Sequence, residues 1–196
     1  MLKRLFDIIF SFTGLIILSP VFLIIVILIK SDSAGKVIYR QIRIGKNGKD
    51  FNLLKFRTMK VDSDKSGLLT IGGHDSRITK AGYLLRKYKL DELPQLVNVF
   101  TGDMSFVGPR PEVSKYVKLY TEQQKKVLEV KPGITDIASI KYRNENELLE
   151  NSKDPERFYI EEIMPDKIKM NLDYINERSF FKDIKLIFMT FKAIIK

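Results

Sequence analysis

Two adjacent carboxylates, Asp91 and Glu92, stand in the run Leu90-Asp91-Glu92-Leu93-Pro94-Gln95, directly after Arg86, Lys87 and Lys89. Neighbours in sequence do not share a helix face, so the pair is poorly placed to share one proton and better placed to divide two roles. One carboxylate could attack phosphorus while the other holds a divalent cation, and the preceding cations would keep the nucleophile ionised. The same residues also read as a solvated helix cap. A second run, Gly102-Asp103-Met104-Ser105-Phe106-Val107-Gly108-Pro109-Arg110-Pro111, frames an arginine between Pro109 and Pro111. Such a frame fixes the direction of a guanidinium, which grips phosphate through a planar fork; the bland reading is a stiff surface loop. In Lys55-Phe56-Arg57-Thr58-Met59 the cations alternate with apolar residues, which puts Lys55 and Arg57 on one face of a strand. A turn at Lys131-Pro132-Gly133-Ile134-Thr135 is followed by Arg143 and Asn144.

The chain has no cysteine and one histidine, His74, read as a loop residue. Disulfides, thiolate metal sites and a cysteine nucleophile are thereby excluded, and catalysis falls to carboxylates, hydroxyls and cations. A formal charge of +10 over 196 residues points to an anionic partner: nucleic acid, a phospholipid surface or a phosphorylated substrate. That charge is concentrated early, with eleven Lys and Arg against three acids in residues 1–60.

The elements that must position these groups are mostly short. Residues 37–43 and 51–56 have strand composition, and the interval 45–48 (GKNG) is a hairpin turn signal. Residues 61–76 read as loop. Thr79 to Leu90 reads as a basic amphipathic helix with Tyr83, Leu84 and Leu90 on its apolar side. One further helix is expected over 122–130, stopped by Pro132 and Gly133, and two more over 155–177, with Pro155 and Pro165 near helix starts. Residues 182–196 form an amphipathic segment that suits either the core or a membrane interface.

From Ile8 to Ile29 there are 22 residues without a charge, enough as a helix to match roughly 30 Å of bilayer hydrocarbon. A signal peptide, a spanning helix and a re-entrant helix compete for this segment. Its length and the basic sequence after it disfavour a signal peptide. Pro20, mid-run after Ser19, removes a backbone donor and favours a bend. Cations flank both ends, so the positive-inside tendency allows both to be cytoplasmic. The expected fold is α+β and mostly helical. Residues 1–30 would be a re-entrant membrane anchor, and 31–196 a compact cytoplasmic catalytic domain with a small β-hairpin and amphipathic interfacial helices.

The order and wording of these motifs together resemble the bacterial sugar transferase family, the monotopic polyprenyl-phosphate phosphoglycosyl transferases. The resemblance runs from the apolar segment broken at Ser19 and Pro20 through KFRTM, LDELPQ, GDMSFVGPRP and KPGIT to the tail around Asp173, Tyr174 and Ser179 to Asp183. It implies transfer of a sugar 1-phosphate from a UDP-sugar to undecaprenyl phosphate with release of UMP, and a requirement for Mg²⁺. It also implies Asp91 as the attacking group, Glu92 as a metal contact, and Lys55, Arg57, Arg110 and Arg143 as phosphate or nucleotide contacts, with Asp173 as a further acid. The implied place is the cytoplasmic face of a bacterial inner membrane, and the implied partners are the two substrates, membrane phospholipid and a second copy of the chain. Residues 136–144 (DIASIKYRN) depart from the commoner family wording, which bears on sugar choice and loop geometry. Two other classes compete: a non-catalytic scaffold holding anionic lipid or partner enzymes, and a nucleic-acid binder. The second is disfavoured because the basic residues cluster beside the apolar run and no binding motif is present.

Overall fold

The computed structural model describes residues 2–63, 69 and 75–195, the last two of these by backbone only. His74 and most of the expected loop at 61–76 lie outside the described residues. The architecture is mostly helical α+β. Helices α1 (Leu2–Ile17) and α2 (Ser19–Asp32) are bent by 59° at their junction. Pro20 sits in the first turn of α2, where its missing donor costs least. The Ser19 hydroxyl donates to the Ile16 carbonyl at 2.8 Å, occupying an acceptor that the break would strand. No single described helix is long and apolar enough to cross a membrane, although the bent pair has the required composition.

Both ends of this pair are fastened to the rest of the chain. At the start of α1, Lys3 Nζ donates to the Val107 carbonyl at 2.8 Å and to Asp183 at 2.6 Å. Arg4 donates to the Val99 and Phe100 carbonyls, and Asp7 accepts from Ser105 Oγ and Phe106 N, both at 3.1 Å. Near the end of α2, Asp32 accepts from Ala81 N at 2.9 Å, while Ile25 and Ile29 are buried with Phe56 and Leu85. Ile9, Phe10, Ile17, Leu23 and Ile27 remain exposed on the outer faces.

Strands β1 (Ile38–Ile44) and β2 (Asp50–Phe56) pair antiparallel, Ile38 opposite Phe56 and Ile44 opposite Asp50. The turn between them takes Asn47 and Gly48 through left-handed backbone, as the sequence suggests. Helix α3 (Lys80–Lys87) has Thr79 as its N-cap, accepting from Gly82 N. Its apolar side differs from the expected one: Leu85 is buried, whereas Tyr83 and Leu84 are about half exposed. The register is set by Gly82, which packs so closely on Thr58 that a Cβ there would lie 2.0 Å from the Thr58 carbonyl oxygen.

Helix α4 (Gln95–Thr101) leads into β3 (Ser105–Val107), α5 (Ser114–Val117) and a 3₁₀ segment, Gln124–Glu129, where an α-helix was expected. Strand β4 (Gly133–Thr135) pairs parallel with β3, Ser105 opposite Gly133 and Val107 opposite Thr135. This small sheet is absent from the sequence reading. It joins the two motif loops so tightly that a Cβ on Gly133 would stand 2.1 Å from Gly108 N. Helices α6 (Ile137–Lys141) and α7 (Glu145–Glu150) follow. Residues 155–177 are helical throughout: α8 (Pro155–Phe158), a π turn at Tyr159–Ile163 and α9 (Met164–Glu177). The largest core gathers Val113, Tyr116, Val127, Leu149, Ile163 and Ile168. Helix α10 (Phe180–Ile195) buries Leu186 against Val107 and Tyr174, which meets the core alternative for this segment, and leaves Phe181, Phe188 and Phe191 outward.

Candidate active site

Asp91 and Glu92 lie on a single 3₁₀ turn, Leu90–Glu92, between α3 and α4. Lys89 enters the turn in left-handed backbone with φ 55°, a conformation that costs a non-glycine residue energy. The two carboxylates meet different surroundings. Glu92 Oε1 accepts from Lys55 Nζ at 3.2 Å and from Arg110 Nη2, and its Oε2 accepts from Arg110 Nη1 at 3.3 Å. Asp91 is only 7% exposed, and its Oδ1 is buried without a hydrogen-bond partner.

The electrostatics divide accordingly. Burial alone would raise Glu92, but the attraction of Arg110 and then Lys55 outweighs it and holds the carboxyl well below the usual range. For Asp91 burial is the largest influence and the adjacent Glu92 charge adds to it, so this carboxyl is raised despite Lys55 and Arg86. The cations expected to keep this carboxylate ionised do pull it down, Lys55 most and then Arg86 and Lys89, against the larger influence of removal from water. Burial likewise lowers Lys55, and Glu92 raises Arg110.

Arg110 is held as its two prolines suggest, with help the sequence did not disclose. Its backbone N–H donates at 2.7 Å to Asp136, which is 1% exposed and also caps α6 through Ser139 N. The Pro109 carbonyl accepts from Gly133 N at 3.0 Å, and the Pro111 carbonyl accepts from Arg43 at 3.1 Å. The parallel β3–β4 pairing is what delivers Asp136 to this point.

A cavity of about 200 Å³ opens next to Lys55 and Arg110, the partners of Glu92, although Asp91 and Glu92 themselves are not in its wall. One part of its wall is cationic, with Arg43, Lys55, Arg86 and Arg110; another carries Glu145, Lys167 and Asn171 from α7 and α9. Arg43 is tied to Glu112 at 3.0 Å, and Glu112 also accepts from the Tyr159 hydroxyl. The concentration of positive charge suits a diphosphate. Among the described residues no cluster of three or more acids or histidines forms a protein-only metal cage. Mg²⁺ is commonly held by one or two carboxylates together with substrate phosphates; the acid pair offers such oxygens, with both of Glu92's already engaged by Arg110 and Lys55 and the partnerless one on Asp91.

The structure therefore brings Lys55, Asp91, Glu92 and Arg110 together. It does not bring Arg57 to them. The strand ends at Phe56, and the Arg57 guanidinium turns to the Ser33 and Ala34 carbonyls, so this expected phosphate contact is corrected to a brace for the end of α2. Arg143 and Asp173 are exposed and lie outside the cavity wall. Arg43, Asp136 and Asn171 were missed. Arg43 lay in view on an expected strand, but Asp136 and Asn171 depend on long-range packing that local pattern does not encode.

The sequence model described as bacterial sugar transferase matches residues 1–196. A UDP-glucose:undecaprenyl-phosphate glucose-1-phosphate transferase of Escherichia coli K12 is 39% identical over 97% of this chain and 39% of its own length. The uncharacterised sugar transferase EpsL of Bacillus subtilis is 38% identical, covering 99% of this chain and 87% of EpsL. The galactosyl transferase CpsE of Streptococcus agalactiae is 38% identical over 98% of this chain and 42% of its own length. The chain thus spans about two-fifths of the first and third of these relatives.

Proposed function

The chain belongs to the bacterial sugar transferase family, and from that premise we propose that it moves a sugar 1-phosphate from a UDP-sugar to undecaprenyl phosphate, releasing UMP. The observation that carries the reading is the division of the acid pair: one carboxylate clamped by Arg110 and Lys55, the other buried without a hydrogen-bond partner for Oδ1. In the first step an Asp91 oxygen forms a bond to the sugar-linked phosphorus, and the bond from that phosphorus to the UMP oxygen breaks, UMP leaving with the electron pair. In the second step a phosphate oxygen of undecaprenyl phosphate attacks the same phosphorus. The aspartyl–phosphorus bond breaks and the Asp91 carboxylate returns.

The difficulty in both steps is repulsion between anions, and preorganised cations are the remedy. Arg110, fixed at its backbone by Asp136 and at its guanidinium by Glu92, needs no reorganisation as charge moves. Arg43 and Arg86 extend the positive wall towards the rest of the diphosphate. Glu92 would hold Mg²⁺ against the diphosphate oxygens, where the ion supplies further charge neutralisation.

The bent α1–α2 pair supports re-entry at the cytoplasmic face of the inner membrane. Its two ends are bonded to one body, which a spanning segment with ends on opposite faces could not achieve. Arms of 16 and 14 residues at about 1.5 Å per residue, bent by 59°, put the apex about 11 Å from the line joining their ends, against about 15 Å for half the hydrocarbon core. The exposed apolar faces would lie in one leaflet, placing the acid pair near the surface where a polyprenyl phosphate presents its head.

The test is UMP release from a panel of UDP-sugars by detergent-solubilised protein with undecaprenyl phosphate and Mg²⁺. Release with a donor, abolished by Asp91→Asn, is the expected result. Release that survives Asp91→Asn would overturn the aspartyl route, and no release with any donor would favour the scaffold.

A further inference from the structure

Helix α9 turns Met164, Lys167, Ile168 and Asn171 toward the cavity, a spacing that places all four on one helical face. Asn171 is only 6% exposed, and its Oδ1 is buried with no hydrogen-bond partner. A buried polar atom left in this state costs free energy unless a ligand or water supplies the missing bond. One turn away, Lys167 Nζ pairs with Glu145 Oε2 at 2.7 Å, both side chains largely enclosed, and Asn146 completes this part of the wall.

The chemistry of these α7 and α9 residues differs from that of the cationic residues in the same lining. They offer an amide, which donates and accepts, together with a fixed ammonium and a fixed carboxylate. A sugar hydroxyl also donates and accepts, so a ring carrying several of them matches a mixed set. The cavity, at about 200 Å³, is smaller than the roughly 300–1,000 Å³ usual for a whole drug-sized ligand, so it encloses one part of a nucleotide sugar. The part that remains on the protein between the two steps is the sugar phosphate, whose acyl phosphate must be kept from water.

We propose that Asn171, with the Lys167–Glu145 pair, reads the hydroxyls of the transferred sugar and so sets donor choice. This rests on the functional reading above and adds to it the part of the substrate that α9 recognises. The nucleotide lies against other walls and is indifferent to Asn171.

The experiment measures calorimetric binding of UDP and of a panel of UDP-sugars to the full chain in detergent, for the wild type and Asn171→Leu. The expected result is a loss of about tenfold for the preferred UDP-sugar, the worth of one buried hydrogen bond, with UDP itself changed by less than about twofold. Discrimination between donors that differ in the configuration of one hydroxyl should shrink by a similar factor. An equal loss for UDP would show that Asn171 reads the nucleotide and would overturn the proposal, as would no loss for any ligand. Should the melting temperature show that Asn171→Leu does not fold, Asn171→Ala, which removes the same Oδ1 without adding bulk or charge, gives the same comparison. A wild type that releases UMP while the variants bind every donor unchanged refutes this inference alone. A wild type that binds no UDP-sugar and releases no UMP refutes the functional reading and this inference with it.

Discussion

Asp91→Asn should abolish UMP release and make the protein more stable. Asp91 is 7% exposed, its Oδ1 lacks a partner, and burial raises its carboxyl above the ordinary aspartate range. A carboxyl raised in the folded state favours the protonated form. Its contribution to stability is therefore present below the unfolded-state value and is lost as pH rises through the folded-state value. Asparagine imitates the protonated form at every pH. A buried acceptor without a partner costs about 1–3 kcal/mol, more when charged, and the variant keeps the polar oxygen while shedding the charge. A recovery of about 1 kcal/mol is expected near neutral pH, and for a chain of this length that is a rise of about 2–4 °C in melting temperature. The assay is thermal unfolding in one detergent across a pH series. The advantage of the variant should shrink to nothing toward about pH 3–4, where the wild-type carboxyl is also neutral. A lower melting temperature at neutral pH, or a gain that does not depend on pH, would refute the reasoning, because it would mean that Lys55 and Arg86 more than offset the burial.

Glu92→Gln should do the opposite. Removing the anion between Arg110 and Lys55 leaves two partly buried cations with only a neutral oxygen between them, at a cost of about 1–3 kcal/mol, and a Mg²⁺ titration of UMP release should lose its response while flotation with liposomes is unchanged. Asp183→Asn should destabilise by about 1.5–3 kcal/mol, read by urea unfolding, because Asp183 accepts from both Lys3 and the Tyr174 hydroxyl and ties α1 to α9 and α10. Cysteines introduced at Leu2 and Lys36, just outside the two ends of the apolar run, should react with a membrane-impermeant reagent from the same side of oriented vesicles; labelling from opposite sides would establish a span.

Much of the fold was open to local reading where short-range chemistry decides it. The β1–β2 hairpin follows from GKNG, in which Asn47 and Gly48 accept positive φ, and the break between α1 and α2 follows from Pro20. Pro155 opens α8 as expected, but the two helices expected over 155–177 run together, because a π turn joins α8 to α9 and Pro165 falls in the first turn of α9. Where tertiary packing decides, local pattern failed. Tyr83 and Leu84 looked like the core side of α3, but the close approach of Gly82 to Thr58 turns Leu85 inward instead. Residues 124–129 tighten to 3₁₀, and β3–β4 is a parallel pairing of three-residue strands too short for any periodicity to reveal.

The site divides in the same way, and the reason is chemical. Asp91, Glu92 and Arg110 could be picked out because two adjacent acids and a proline-framed arginine are unusual as local sequence. What those residues do depends on the medium around them. The same Lys55 that stands 3.2 Å from Glu92 is itself lowered by burial, and the depth that strips Asp91 of water raises its carboxyl against the pull of neighbouring cations. Charge in sequence gave the sign of each interaction, but which sign prevails is set by how much water packing removes. Arg57 makes the point in reverse: two residues from Lys55 and chemically suited to phosphate, it is spent on the Ser33 and Ala34 carbonyls because the strand ends one residue before it. An arginine's reach exceeds the spacing of a strand, so the alternation that seemed to put Lys55 and Arg57 on one face could not decide what either would touch.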